Sequence, residues 1–252
     1  MIRKKPFILC LYFLSMGFAQ SFDNFDVYGG ISSVTVSTSD FTNFHISDHE
    51  SYGLGATEGR VAVPLGDNDI AGQNMSILLG ATSPISSRID ALLEVQVGFG
   101  DVSYGAAFTG LNLKLINGNK FRLGFTPKVG VVSSLANFGV IEVLPNKTPP
   151  VILPEGTFNE GDSLSMDISG IGINVGVTPS FFLTETLGLT AFVGYQISLT
   201  DEPIIKAGDV EIPMDAASVV KTDMSATQAG ISPEATTSGI TFQVGIVYNI
   251  KL

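Results

Sequence analysis

Residues 239–252, "GITFQVGIVYNIKL", place Ile240, Phe242, Val244, Ile246, Tyr248, Ile250 and Leu252 on one face of an extended strand. Thr241, Gln243, Gly245, Asn249 and Lys251 take the other face, with Val247 the one apolar residue among them. Side chains alternate sides along a strand, so one side of this segment is apolar without interruption. The same alternation recurs upstream. In 88–99, "RIDALLEVQVGF", Ile89, Ala91, Leu93, Val95, Val97 and Phe99 oppose Arg88, Asp90, Glu94 and Gln96. In 120–132, Phe121, Leu123, Phe125, Val129 and Val131 oppose Lys120, Arg122, Thr126 and Lys128. Segments 170–181 and 187–198 repeat it, as does 104–115, and weaker alternation near 25–37 and 73–83 brings the expected strand number to eight. No stretch beyond residue 20 sustains a helical period with caps, so the chain reads as all-β.

The connections alternate as well. "SPISS" (83–87), "NGN" (117–119) and "TET" (184–186) are short, and the second carries the Asn-Gly hairpin signal. Between them lie long polar connections, roughly 39–72, 135–163 and 200–235, and a short one near Asp101. Tight turns at one end and long loops at the other are the habit of bacterial outer-membrane barrels, with the turns on the periplasmic side. An even strand number then puts both chain ends on that side.

Alternation alone fits a soluble barrel with a greasy interior equally well. Three features favour the inverse arrangement. The apolar stripes of the six clearer strands contain no charged residue, whereas Arg88, Asp90, Glu94, Lys114, Lys120, Arg122, Lys128 and Lys251 all fall on polar stripes. A Lys or Arg facing lipid at mid-bilayer costs about 2–4 kcal/mol, so only the apolar stripes are fit to face lipid. The polar stripes also hold ten glycines, which weaken a strand but make room for Phe108, Phe192 and Arg122 inside a narrow barrel. Finally, the strands run to 12 residues or more, enough to cross the hydrocarbon, for which about 9–11 tilted residues suffice. The expected architecture is a closed antiparallel transmembrane β-barrel, up-and-down, of eight strands. Ten strands result if 58–65 and 204–214 enter the ring rather than forming loop hairpins. Pro127, within a strand, calls for a bulge or a missing ladder bond.

Residues 1–19 read as a signal peptide. Arg3, Lys4 and Lys5 precede an apolar run from Phe7 to Phe18, and the small residues Gly17 and Ala19 precede a cut before Gln20. Twelve apolar residues are too few for a spanning helix, which needs about 18–20. The remaining 20–252 read as one domain. They hold ten Lys and Arg against 24 Asp and Glu, a balance that disfavours nucleic acid as a partner. The single cysteine, Cys10, lies in the leader, so a disulfide framework and a Cys-ligated metal are excluded from the rest.

With these residues in view, the chain resembles the small eight-stranded outer-membrane barrels of the OmpA/OmpX type, the porin-like outer-membrane β-barrel domain proteins. The resemblance covers 25–252 as architecture. Its most specific part is "FQVGIVYNIKL" (242–252), which looks like the final-strand signal read by the barrel-assembly machinery. The family's last residue is usually Phe or Trp; here it is Leu252, with Tyr248 and Phe242 on the same stripe. The resemblance implies the outer membrane of a Gram-negative bacterium, with membrane lipids and lipopolysaccharide as surroundings.

Candidate chemistry is sparse. "HISDHE" (45–50) offers His45, Asp48, His49 and Glu50, metal-ligand types that lack the helical His-Glu spacing of zinc proteases. "GDNDIAG" (66–72), with Asp67 and Asp69, lacks the later ligands of a calcium loop. Both read as solvated acidic loops. No residue is therefore assigned a catalytic, cofactor or metal-binding role, and no cofactor is expected. Arg88, Asp90, Glu94, Arg122 and Lys128 are expected inside the barrel as an internal ion-pair network, with a conducting pore as the alternative. The leading expectation is a non-enzymatic barrel with a structural, adhesive or surface-binding role through acidic loops. A solute pore comes second; a rim enzyme using His45, or a soluble barrel for a hydrophobic ligand, follows. Ligand and oligomeric state are not legible.

Overall fold

The alternating segments form eight long strands: β1 (Asn24–Thr38), β2 (Gly72–Ser86), β3 (Ile89–Phe99), β4 (Val102–Asn117), β5 (Phe121–Val140), β6 (Ser163–Phe182), β7 (Leu187–Thr200) and β8 (Gly239–Lys251). The structure is a computed structural model that describes residues 24–38, 44–47, 60–62, 72–99, 102–140, 142–143, 151–153, 156–201, 204–208, 210–213, 219–221, 235–236 and 238–251. Each strand pairs antiparallel with the next, and β8 pairs back onto β1 in a ladder from Asn24–Lys251 to Ser33–Phe242. The sheet is thereby a closed eight-stranded barrel with up-and-down order, and closure leaves no edge in the ring. No helix occurs among the described residues.

The facing is inside-out. Ile77, Leu79, Val193, Phe242 and Ile246 lie 43–64% exposed on the outer surface, while Glu94 and Lys128 are 1% and 3% exposed within. On β6, Ile171, Ile173, Val175, Val177, Pro179 and Phe181 form the outer row, and Ser165, Asp167 and Ser169 continue it as polar residues. That apolar row spans 11 residues, as do Phe121–Val131 on β5 and Ile240–Ile250 on β8, which matches the crossing length of a tilted strand. A continuous exposed apolar belt of this height is far larger than a soluble monomer exposes. The chain is a transmembrane barrel, and the soluble-barrel reading fails on the same rows.

Pro127 keeps its place opposite Val175 on β6. On its other side the ladder passes from Gly110–Lys128 to Leu113–Phe125, and the two intervening pairs drop out. Pro179 repeats this against β7, where Val177–Val193 is followed by Ser180–Thr190. Each proline lacks a donor, and each costs one ladder locally rather than bending the strand out of the ring.

The described parts of 58–65 and 204–214, Arg60–Ala62, Ile204–Ala207 and Val210–Pro213, stay outside the ring, so the count is eight. Arg60–Ala62 joins Phe44–Ser47, Glu142–Val143 and Val219–Lys221 in a small separate sheet. Ile204–Ala207 pairs with Leu164–Asp167, the part of β6 above its apolar row, then turns at Gly208 (φ 56°) and returns as Val210–Pro213. On that extension Lys206 donates to Asp167 at 2.9 Å and lies 3.7 Å from Glu211. The Asp167 bond, with the Glu211 charge behind it, holds the Lys206 ammonium above the ordinary lysine pKa.

Candidate functional site

In the lumen, charged and polar side chains of distant strands converge. Its packing follows from glycine. Gly80 faces Tyr28 in the β1–β2 ladder, and a Cβ at Gly80 would overlap the Tyr28 ring. The ring therefore reaches across, and the Tyr28 hydroxyl donates to Glu94 Oε2 at 2.9 Å. A Cβ at Gly194 would meet the Phe192 ring in the same way.

Around Glu94 the lumen is closed. Lys128 Nζ donates to Glu94 Oε1 at 2.9 Å, Gln96 Nε2 at 2.7 Å and Gln243 Nε2 at 2.9 Å. Lys128 Nζ also lies 3.4 Å from Gln243 Oε1 and 4.0 Å above the centre of the Phe192 ring. Both carboxylate oxygens are thus engaged, and the ammonium is met by a charge, an amide oxygen and a π face. Such completeness is what a buried ion pair needs to offset its desolvation.

Towards the long connections, Val34, Tyr104, Ala106, Phe108 and Val132 pack as a buried apolar cluster, and the Tyr104 hydroxyl bonds Gln196 at 3.3 Å. Towards the short turns the lumen opens. A cavity of about 60 Å³ lies under the Glu94–Lys128 pair, and a vestibule of about 670 Å³ lies below it. Two further ion pairs reach into that end, and a third, Lys251–Glu185 at 3.3 Å, lies exposed at its mouth. Arg122 Nη1 donates to Asp26 Oδ2 at 3.1 Å with its guanidinium 4.2 Å from the Phe182 ring centre, and Asn249 bonds Asp26 Oδ1 at 2.6 Å. Lys114 Nζ lies 2.7 Å from Asp90 Oδ1, a charge contact without the alignment of a hydrogen bond at that oxygen.

The structure brings Asp90, Glu94, Arg122 and Lys128 together in the lumen as expected, as three ion pairs rather than one connected chain. Arg88 is a correction: it sits in the exposed β2–β3 turn, one residue before the strand begins. Its phase on the stripe was right, but the turn carries it out of the barrel. Asp26, Tyr28, Gln96, Gln243 and Asn249 were missed as partners. All lie on polar stripes, but nothing in the sequence pairs Gln243 with Glu94 across 149 residues. His45 pairs by backbone with Val220 in the small outer sheet. Asp48, His49, Glu50, Asp67 and Asp69 lie outside the described residues, as do residues 1–19. Among the described residues no three His, Cys, Asp or Glu gather as a metal site.

No family model and no curated protein matches the chain. Solved structures do. The chain is similar to neisserial surface protein A (10% identity, 90% of this chain and 97% of that one, TM-score 0.43). It is also similar to the outer membrane protein OprG of Pseudomonas aeruginosa (12%, 91% and 97%, 0.47). A third is Ail, the attachment invasion locus protein of Yersinia pestis (10%, 91% and 100%, 0.41). At these scores none supplies a residue correspondence; the barrel stands on its own ladders and facing.

Proposed function

We propose that this small outer-membrane barrel is a non-enzymatic, non-conducting scaffold that presents acidic connections at the surface of a Gram-negative cell. The observation carrying this is the closed lumen: a saturated Glu94–Lys128 pair with an apolar cluster stacked on it leaves the barrel no evident path for solute. What remains for function is what the barrel holds up. The connections at the long-loop end, residues 39–71, 100–101, 141–162 and 201–238, contain 18 Asp and Glu and only Arg60, Lys147, Lys206 and Lys221. They therefore carry the entire net charge of −14 found beyond residue 20, and the barrel body is neutral. A surface so acidic suits adhesion to basic partners, or divalent cations that bridge it to lipopolysaccharide phosphates. Export through a cleaved 1–19 and insertion by the barrel-assembly machinery belong to the same proposal.

The test has two arms. Planar-bilayer recordings of the folded protein should show no defined conductance steps. Excision of residues 215–234 should leave a heat-modifiable barrel while altering surface binding or divalent-cation uptake. Unitary conductance steps, or an excision without surface effect, would refute this role.

A further inference from the structure

The vestibule at the short-turn end has a chemistry opposite to that of the connections. Four of the six basic residues of the barrel body line it: Lys114, Lys120, Arg122 and Lys251. Asp26, Asp90 and Glu185 are its three carboxylates. The ion pairing of the two sets is unequal, because each carboxylate has a basic partner and one cation is left over. Asp26 is engaged at both oxygens, by Arg122 and Asn249. Asp90 is engaged by Lys114 and by Asn112, and Glu185 by Lys251. The cations keep donors in reserve. An ammonium has three N–H groups, and Lys114 and Lys251 each reach one carboxylate. Lys120 has no ion-pair partner among the described residues, and its side chain is exposed at the mouth.

The space fits a ligand as well. About 670 Å³ is within the usual range of small-molecule pockets, and its inner end is blind because the Glu94–Lys128 pair closes it. The walls are strands backed by hydrocarbon, and a low-dielectric wall focuses the field of the charges it holds. A neutral solute would leave the spare donors to water, and a cation would meet carboxylates that are each already paired with a basic side chain of the chain. An acceptor-rich anion meets the surplus directly.

We infer that the vestibule is a binding site for a small organic or inorganic anion bearing carboxylate or phosphate groups, entered from the short-turn side. Lys120 and Lys114 are its principal contacts, and the blind floor makes it a receptor pocket rather than the first stage of a pore. The site lies at the opposite end of the barrel from the acidic connections and is independent of their role. Its failure leaves the scaffold reading standing.

The experiment titrates the full chain, folded in non-ionic detergent micelles, with citrate and separately with inorganic phosphate, following binding by calorimetry. Heat-modifiable migration checks the fold of each variant. Lys120 is exposed and unpaired, so its replacement should not disturb folding. We expect one saturable site, weakened roughly threefold in Lys120→Gln and about tenfold in Lys120→Glu. Citrate binding without phosphate binding identifies a carboxylate ligand, and the reverse a phosphate ligand. No saturable binding of either probe, or binding indifferent to Lys120→Glu, overturns the inference.

Discussion

At the residue scale, the lumen shows how a charge is made tolerable without water. Glu94 and Lys128 are each about 1% exposed at the side chain, and each is held by more than the other. The attraction within such a pair roughly offsets the desolvation of both ions, so the pair as a whole adds little to stability. Removing one partner is different, because the other stays behind as an uncompensated buried charge. Lys128→Met should therefore cost about 3–5 kcal/mol of unfolding free energy. Lys128→Met combined with Glu94→Gln should return close to the parent. The check is urea unfolding in micelles followed by far-ultraviolet circular dichroism, since the chain has no tryptophan to report. If the double variant is as unstable as the single one, the ion pair itself is the stabilising element and the desolvation argument is wrong. The facing of both residues was legible from period two alone. Their partnership was not: Gln96 reaches Glu94 along its own strand, but Tyr28 and Gln243 come from β1 and β8, and the ring rather than any one strand brings them to its level.

At the element scale, each strand had to satisfy two solvents, and the apolar rows of β5, β6 and β8 show where one gives way to the other. Sequence periodicity found those rows and the short turns because both are local. It left the fate of 204–214 open, since a hairpin on the rim and a ninth and tenth strand share the same pattern. The difference lies in pairing: Ile204–Ala207 follows β7 along β6, one residue out of the register held from Gly170–Thr200. That offset, with the polar outer row of Ser165 and Asp167, places the hairpin beyond the hydrocarbon. Its tie is Lys206, whose pKa is raised chiefly by the Asp167 hydrogen bond. A raised lysine pKa contributes stability that is fully present below the unfolded value, and that is lost as pH climbs through the folded one. Amide-exchange protection of 204–207, corrected for the intrinsic pH dependence of exchange, should thus be flat across the neutral range and fall only in strong alkali. Lys206→Met should lower it at neutral pH by a few tenths of a kcal/mol, small because the side chains are part-exposed and screened. Protection that already falls between mildly acidic and mildly basic pH would mean another group holds the hairpin.

At the scale of the whole molecule, the barrel is two seals in series with a charge imbalance outside them. The polar seal was foreseeable, since Glu94 and Lys128 sit on polar stripes. The apolar one was not, because Val34, Ala106 and Val132 interrupt stripes otherwise read as polar, and as single residues they look like noise. Together with Tyr104 and Phe108 they form a cluster on the long-connection side of the ion pair. This arrangement separates two views of closure. If the ion pair is the gate, truncating it opens the barrel. If the apolar cluster also closes the lumen, truncation only enlarges the blind pocket below, where about 60 Å³ already lies. The packed rings favour the second view, because a hydrophobic constriction excludes ions without any charged group. Glu94→Ala with Lys128→Ala, which leaves no unpaired charge behind, should remain silent in planar bilayers. Adding Phe108→Ala and Tyr104→Ala should be required before conductance steps appear. Steps from the Glu94/Lys128 double variant alone would show that the lumen has a single electrostatic gate, and would move the protein from scaffold to regulated pore.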